Sequence, residues 1–168
     1  MTTSDLPFLQ SDRIIFKVFT CEEHLKNIKN IKSQSGDLLS KDSRVGAEME
    51  IDSLISQMIG TFDSLLLRII DIFQLSGIPR DRMELNKVIS ALSAESKGVE
   101  LAGELQKANQ EGNWYWMLKH LRNYSLSGSL LSKEASLDVI PFFEQTLVEL
   151  KELIKNIRVN ESKLQTKE

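Results

Sequence analysis

The side chains best suited to chemistry lie close together in the sequence WYWMLKHLRNYSLSGS, at positions 114–129. Here His120 supplies a group that titrates near neutral pH, Arg122 supplies a permanent cation, and Asn123 adds a hydrogen-bonding amide. An acid–base group and a cation can together move a proton and stabilise a developing negative charge. Because arginine is rarely buried without a partner, Arg122 and Asn123 predict either an internal structural contact or a working site.

Each of these residues also has a structural interpretation. Arg122 at a helix end is favoured by the helix dipole, and Asn123 can terminate the helix. His120 precedes Arg122 by two positions, about 200° around a helix, so it cannot act on the same side and is expected to be an ordinary helix residue. The aromatic residues at 114–116 could stack on bases, but aromatic residues that open a core helix usually pack inside the protein.

Composition excludes several classes of site. The chain has 168 residues and a net charge of −3, which predicts one domain over 1–168 and no general attraction for nucleic acid, so any RNA contact needs a local basic patch. A single cysteine, Cys21, and two histidines, His24 and His120, exclude a disulfide framework and a metal centre rich in thiolate or imidazole ligands. We expect no metal and no cofactor. Since no secretory signal and no membrane-spanning run are evident, we expect a cytoplasmic protein without membrane contact.

Apolar residues recur every three or four positions, which predicts an all-α, up-and-down bundle of about five helices. The expected helical segments are residues 11–32, 44–75, 82–110 (two short helices meeting near 96–98), 114–124 and 137–158. The tail at 160–168 is polar and expected to fray. Cys21 falls on the apolar stripe of the first helix and is expected in the core, whereas His24 is expected to be solvated.

The segment 44–75 has the broadest apolar face, which predicts a central helix with neighbours on two sides. Gly60 within it is explained by a close approach of another helix. This face and the aromatic start of the segment 114–124 exceed the needs of one bundle, so we expect a homodimer. A buried Arg122 would need a partner, either a carboxylate of this central helix (Glu48, Asp52 or Asp63) or a bound anion.

The sequence LRNYSLSG, followed by a loop and a long amphipathic helix, resembles the signature of the HEPN family (higher eukaryotes and prokaryotes nucleotide-binding domains). The long segment IDSLISQMIGTFDSLLLRIIDIF resembles the helix that precedes the motif helix in that family, so the likeness follows helix order over most of the chain. The family motif is an arginine, a polar residue, a short spacer and a histidine; Arg122 and Asn123 match its start, and Ser127 stands where the histidine is expected. The resemblance implies a small helical bundle in which two protomers join their motifs in a metal-independent ribonuclease, and many relatives act in toxin–antitoxin or phage-defence systems.

Two functions from different classes follow. The first is a HEPN-like, RNA- or nucleotide-associated homodimer with a degenerate or weak ribonuclease site, because a serine at 127 is a poor general base. In it Arg122 contacts phosphate, Asn123 orients, and Tyr124, Ser125 and Ser127 contribute from the loop. The second is a non-catalytic adaptor that binds a protein partner, with Arg122 tied to an acidic residue.

Overall fold

The computed structural model describes residues 12–36, 38, 43–81, 83–126 and 139–165, and every regular element within these ranges is an α-helix. There are six: α1 (Arg13–Ser35), α2 (Arg44–Phe73), α3 (Leu85–Ala94), α4 (Val99–Ala108), α5 (Trp114–Leu126) and α6 (Val139–Gln165). The all-α prediction is confirmed. The described part of the chain has six helices rather than about five because the segment 82–110 forms two separate helices, as its bend near 96–98 predicts.

Both ends of α1 follow local rules. The side chain of Asp12 is the N-cap, and its Oδ1 accepts hydrogen bonds from the amides of Ile14 and Ile15 at 3.0 and 3.1 Å. At the other end Gly36 adopts φ 72°, a left-handed conformation that glycine takes without steric cost. Between the caps, Cys21 and Ile28 are completely buried. The prediction that Cys21 is a core residue is confirmed.

Side-chain pairs between the long helices show that α1, α2, α5 and α6 run in alternating directions. In the α2–α5 and α1–α6 pairs a residue late in one helix meets a residue early in the other, and between α1 and α2 the contacts move in opposite directions, from Lys17 at Gly60 to His24 at Glu50. The pairs are His24–Glu50 between α1 and α2, Ser125–Asp52 between α5 and α2, and Lys29–Glu144 and Arg158–Asp12 between α1 and α6. The short helices α3 and α4 connect α2 to α5. The helix α5, which carries Arg122 and Asn123, lies antiparallel to the central helix α2.

The central position predicted for α2 is confirmed, because α2 contacts α1, α3, α5 and α6. Its apolar face is buried along its whole length, with Ile51, Phe62 and Ile69 at 1% exposure or less. The apolar surface that suggested a homodimer is therefore covered within one chain. By length and composition α2 could also cross a membrane, but 56% of its most apolar window is buried in the bundle, as in the core helix of many soluble proteins.

Three local expectations differ from the structure. First, α6 continues to Gln165, so residues 160–165 are helical; Glu161 pairs with Arg68 of α2 and holds this end against the bundle. Second, α2 ends at Phe73, two residues before the predicted end at 75, because Gln74 takes the left-handed conformation (φ 51°). Third, the space over Gly60 is occupied by the ammonium group of Lys17 rather than by the backbone of a neighbouring helix.

Candidate functional site

The helix α5 is anchored by the aromatic residues at its start. Tyr115 is buried and its ring stacks on Phe62 of α2, with the ring centroids 3.8 Å apart, while the edge of Trp114 meets Phe62 at 5.5 Å. Leu118, one turn further along, is fully buried. The core-packing interpretation of Trp114 and Tyr115 is confirmed. These contacts fix which side of α5 faces α2 and therefore where Arg122 lies.

Arg122 is exposed, so the expectation of an arginine buried at the end of a core helix is wrong. Arg122 lies two turns beyond Tyr115 on nearly the same side of α5, so its exposure comes from its position near the end of the helix rather than from the face it occupies. The charge of Arg122 acts on Asp63 of α2 and on Tyr115. Within the described residues, however, no carboxylate forms an ion pair with its guanidinium at contact distance.

Asp63 is the carboxylate whose pKa is influenced by the charge of Arg122. It is half-buried and lies between two cations, Arg122 and Lys17. Burial raises the pKa of Asp63 above its ordinary value, and the positive charges of Arg122 and then Lys17 partly oppose that rise. Lys17 reaches this place from α1: its Nζ is 3.0 Å from the point where a Cβ on Gly60 would stand. Gly60 thus accommodates an ammonium group rather than a neighbouring helix backbone. The result is a small polar surface with two cations around one carboxyl group.

Lys17 is the member of this cluster that sequence analysis missed. Its one signal is its place a full turn before Cys21, at the edge of the apolar stripe, and many surface lysines share that position. The two other carboxylates considered as partners for Arg122 lie elsewhere in the network. Asp52 accepts a hydrogen bond from Ser125 Oγ at 2.8 Å, and Glu48 has contacts of its own.

The solvent side of α5 carries further cationic and aromatic groups. The rings of Trp116 and His120 are stacked, 5.4 Å apart and 5° from parallel. Lys119 lies 4.9 Å from the ring centre of Tyr115 and donates a hydrogen bond to Asn109 Oδ1 at 2.5 Å. Burial lowers the pKa of Lys119. The helix α5 contains two cationic residues and no acidic residue, in a chain whose net charge is −3.

The motif residues are only partly assembled. His120 stacks on Trp116, away from Arg122, as the rotation of 200° between positions 120 and 122 predicts. Asn123 is exposed. Ser125 binds Asp52, and Tyr124 is half-buried with a partner of its own. Ser127 lies outside the described residues. Two titratable groups among the described residues thus lie under the charge of Arg122: Asp63, and Tyr115, whose pKa burial raises to about 12.

The other candidate groups play structural parts. His24, expected to be solvated, instead pairs through Nδ1 with Glu50 Oε2 at 2.7 Å, and Asn27 donates to the other oxygen of the same carboxylate at 3.2 Å. Burial raises the pKa of Cys21 to about 12, so its thiol is unreactive. The described residues contain no group of three His, Cys, Asp or Glu side chains placed to hold a metal ion.

Comparisons of the chain with protein-family models, curated proteins and solved structures give no match. The resemblance to the HEPN family therefore remains a hypothesis carried by the motif sequence.

Proposed function

We propose that the protein binds single-stranded RNA or a nucleotide through α5, with Arg122 as the phosphate contact, in a HEPN-like homodimer. The observation that carries this proposal is the exposed guanidinium of Arg122, which has no carboxylate at contact distance among the described residues. An arginine that serves only to hold the fold would be paired and shielded. A free guanidinium presents donors in the fork geometry that phosphate accepts.

The neighbouring groups fit the same ligand. Lys119 adds positive charge one turn before Arg122, and a strand that bends around α5 from these two cations would meet the Trp116–His120 stack on the other side of the helix. Single-stranded nucleic acid is commonly held by cations along its backbone and by aromatic rings against its bases.

The proposal is binding with little or no cleavage. A metal-independent ribonuclease needs a group that transfers protons near neutral pH, and such groups contribute about 10²–10⁴-fold to the rate. His120 faces away from Arg122, and of the two described titratable groups under the charge of Arg122, Tyr115 has a pKa raised to about 12 and Asp63 is a half-buried carboxyl group. We therefore expect RNA cleavage in EDTA to be absent or very slow.

For the homodimer, the support now comes from exposed apolar side chains rather than from the core face of α2. Val45 and Met49, one turn apart in α2, are 69% and 66% exposed, and Leu126 at the end of α5 is 74% exposed. The hydrogen bond between Ser125 and Asp52 holds these parts of the two helices together. Association through this surface would bring two copies of the Arg122 helix end near each other. Light scattering should then give about twice the 19.1 kDa of one chain, and Met49→Glu should give one chain.

Arg122→Met tests the phosphate contact, because methionine keeps the length of the side chain and removes its charge. Binding of a fluorescently labelled single-stranded RNA, followed by anisotropy, should weaken about fivefold to tenfold, and the dependence of the logarithm of affinity on the logarithm of salt should flatten by about 0.7. The melting temperature near neutral pH should fall only slightly, because Asp63 loses a favourable charge but no ion pair at contact distance. Arg80→Met, at an exposed arginine paired with Asp71, is the matched control and should bind RNA as the wild type does.

Other outcomes would support a different role for Arg122 or a different function for the protein. A large fall in melting temperature with unchanged RNA binding would make Arg122 a structural residue. Cleavage in EDTA that disappears in both Arg122→Met and Asp63→Asn would make the site a working ribonuclease with Asp63 as the base. If the wild type binds no RNA, the exposed surface of Val45, Met49 and Leu126 favours the second candidate function, an adaptor that binds a protein partner.

A further inference from the structure

A cleft that contains no residue of α5 lies between the first turn of α1, the C-terminal part of α2 and the last turns of α6. Its volume is about 380 Å³. The floor is apolar and is formed by Leu65, Ile154 and Ile157, all of which are buried in the bundle. A concave apolar floor of this size is typical of sites for small organic ligands, which need only a few polar groups at the rim for orientation.

The rim of the cleft is cationic. It carries three guanidinium groups, from Arg13 of α1, Arg68 of α2 and Arg158 of α6. Three arginines from three different helices meet here although the chain as a whole is acidic. Such convergence costs repulsion between like charges, which an anion placed between them would relieve.

Two of the three arginines are balanced by carboxylates. Arg158 donates to Asp12 Oδ2 at 2.9 Å, and Arg68 pairs with Glu161. The other oxygen of Asp12 already caps the amides of Ile14 and Ile15 at the start of α1.

Arg13 is the excess cation. Its one side-chain contact in the described part of the chain is with the ring of Phe16, 5.7 Å from the ring centre. Among the described residues, Arg13 is thus the one arginine lining the cleft that has no carboxylate partner.

We propose that this cleft binds a small amphiphilic anion, a molecule with a carboxylate or phosphate head and an apolar body. The head would bind Arg13 at the rim, where guanidinium and oxyanion match in geometry, and the body would cover Leu65, Ile154 and Ile157. The same chemistry is offered by a soluble amphiphile and by the headgroup region of an anionic lipid surface.

Calorimetric titration of the full-length protein with decanoate, below its micelle-forming concentration, tests the proposal. Decanoate should bind with one-to-one stoichiometry. Acetate, which has the head without the tail, and decyltrimethylammonium, which has the tail with the opposite charge, should not bind. Arg13→Gln should weaken decanoate binding about tenfold, since it removes the excess cation and leaves both ion pairs of the cleft intact. Arg80→Gln removes an exposed arginine outside the cleft and should leave the affinity unchanged.

Vesicles distinguish the two sources of the ligand. Sedimentation with vesicles of phosphatidylcholine plus phosphatidylglycerol, but not of phosphatidylcholine alone, and loss of this binding in Arg13→Gln would identify a lipid surface. Decanoate binding without vesicle binding would identify a soluble amphiphile. The proposal is overturned if neither probe binds, if decyltrimethylammonium binds equally well, or if Arg13→Gln binds decanoate as tightly as Arg80→Gln does.

Discussion

The turn between α3 and α4 lies in the segment that connects α2 to α5, and its packing helps to position α5. A substitution in this turn tests that packing. Gly98 precedes α4 and is buried, and its backbone lies in an ordinary helical region (φ −94°, ψ −14°) that alanine adopts equally well. A Cβ at this position would lie 2.7 Å from Leu92 Cδ1 and would also collide with the carbonyl oxygen of Leu92. Since Leu92 is fully buried and its carbonyl belongs to the backbone, neither group can move without disturbing the core. Gly103, in the exposed middle of α4, has no atom within 4 Å of its Cβ position.

The two glycines should therefore respond to alanine in opposite directions. Forcing an extra methyl group into a packed core costs about 1–3 kcal/mol. The lower entropy of the unfolded alanine chain returns about 0.4–1 kcal/mol. We expect Gly98→Ala to lower the free energy of unfolding by about 1–2 kcal/mol, equivalent to a melting temperature about 2–8 °C lower for a domain of this size. Gly103→Ala should raise the free energy of unfolding by about 0.5–1 kcal/mol, because alanine is the better helix former and meets nothing.

Urea unfolding followed by far-ultraviolet circular dichroism measures both effects, and the fluorescence of Trp114 and Trp116 reports on α5 in the same samples. If Gly98→Ala is as stable as the wild type, the close contact with Leu92 does not exist and the described geometry of the α3–α4 turn is wrong. If Gly103→Ala is also destabilising, the result contradicts the open space around the Cβ position of Gly103.

Two further predictions follow from the titratable groups. The raised pKa of Asp63 means that its contribution to stability is fully present below the pKa of the unfolded side chain, about 3.9, and is lost as the pH rises through the folded value. Asp63→Asn should therefore be more stable than the wild type near neutral pH, with the difference shrinking towards acidic pH in thermal melts; a constant difference would contradict the burial of this carboxyl. Removing the charge of Arg122 should raise the pKa of Asp63 further, as a carbon-13 titration would detect. Cys21, with its pKa raised to about 12, should be alkylated by iodoacetamide at mildly alkaline pH more than about a thousandfold more slowly in the native protein than in urea, and rapid native labelling followed by mass spectrometry would show that the core opens.

Much of the architecture follows from the chain's apolar periodicity. The spacing of three and four places the α2 stripe, Cys21 and the core of α6 where the structure has them, because which face of a helix is buried depends mainly on local pattern. The end of α6 was expected too early, since a polar tail predicts fraying while the Arg68–Glu161 pair from a distant helix holds it.

The candidate site was predicted less well. The aromatic anchors of α5 were placed correctly, but Arg122 was expected to be buried because its neighbours in sequence, Leu118 and Leu121, belong to the packed face. Its exposure depends on where the bundle stops covering α5, which no local pattern records. His24 was expected in solvent for the same reason, since Glu50 comes to it from α2.

Helix type, approximate boundaries and core faces are properties of residues close together in the chain, and the sequence contains them in full. The cluster of Lys17, Asp63 and Arg122 and the convergence of three arginines at the α1–α2–α6 cleft join residues from separate helices. Their meeting depends on the direction and rotation of each helix against the others. These are set by the sum of many side-chain contacts across the core, such as the Phe62–Tyr115 stack, and so appear only once the helices are packed.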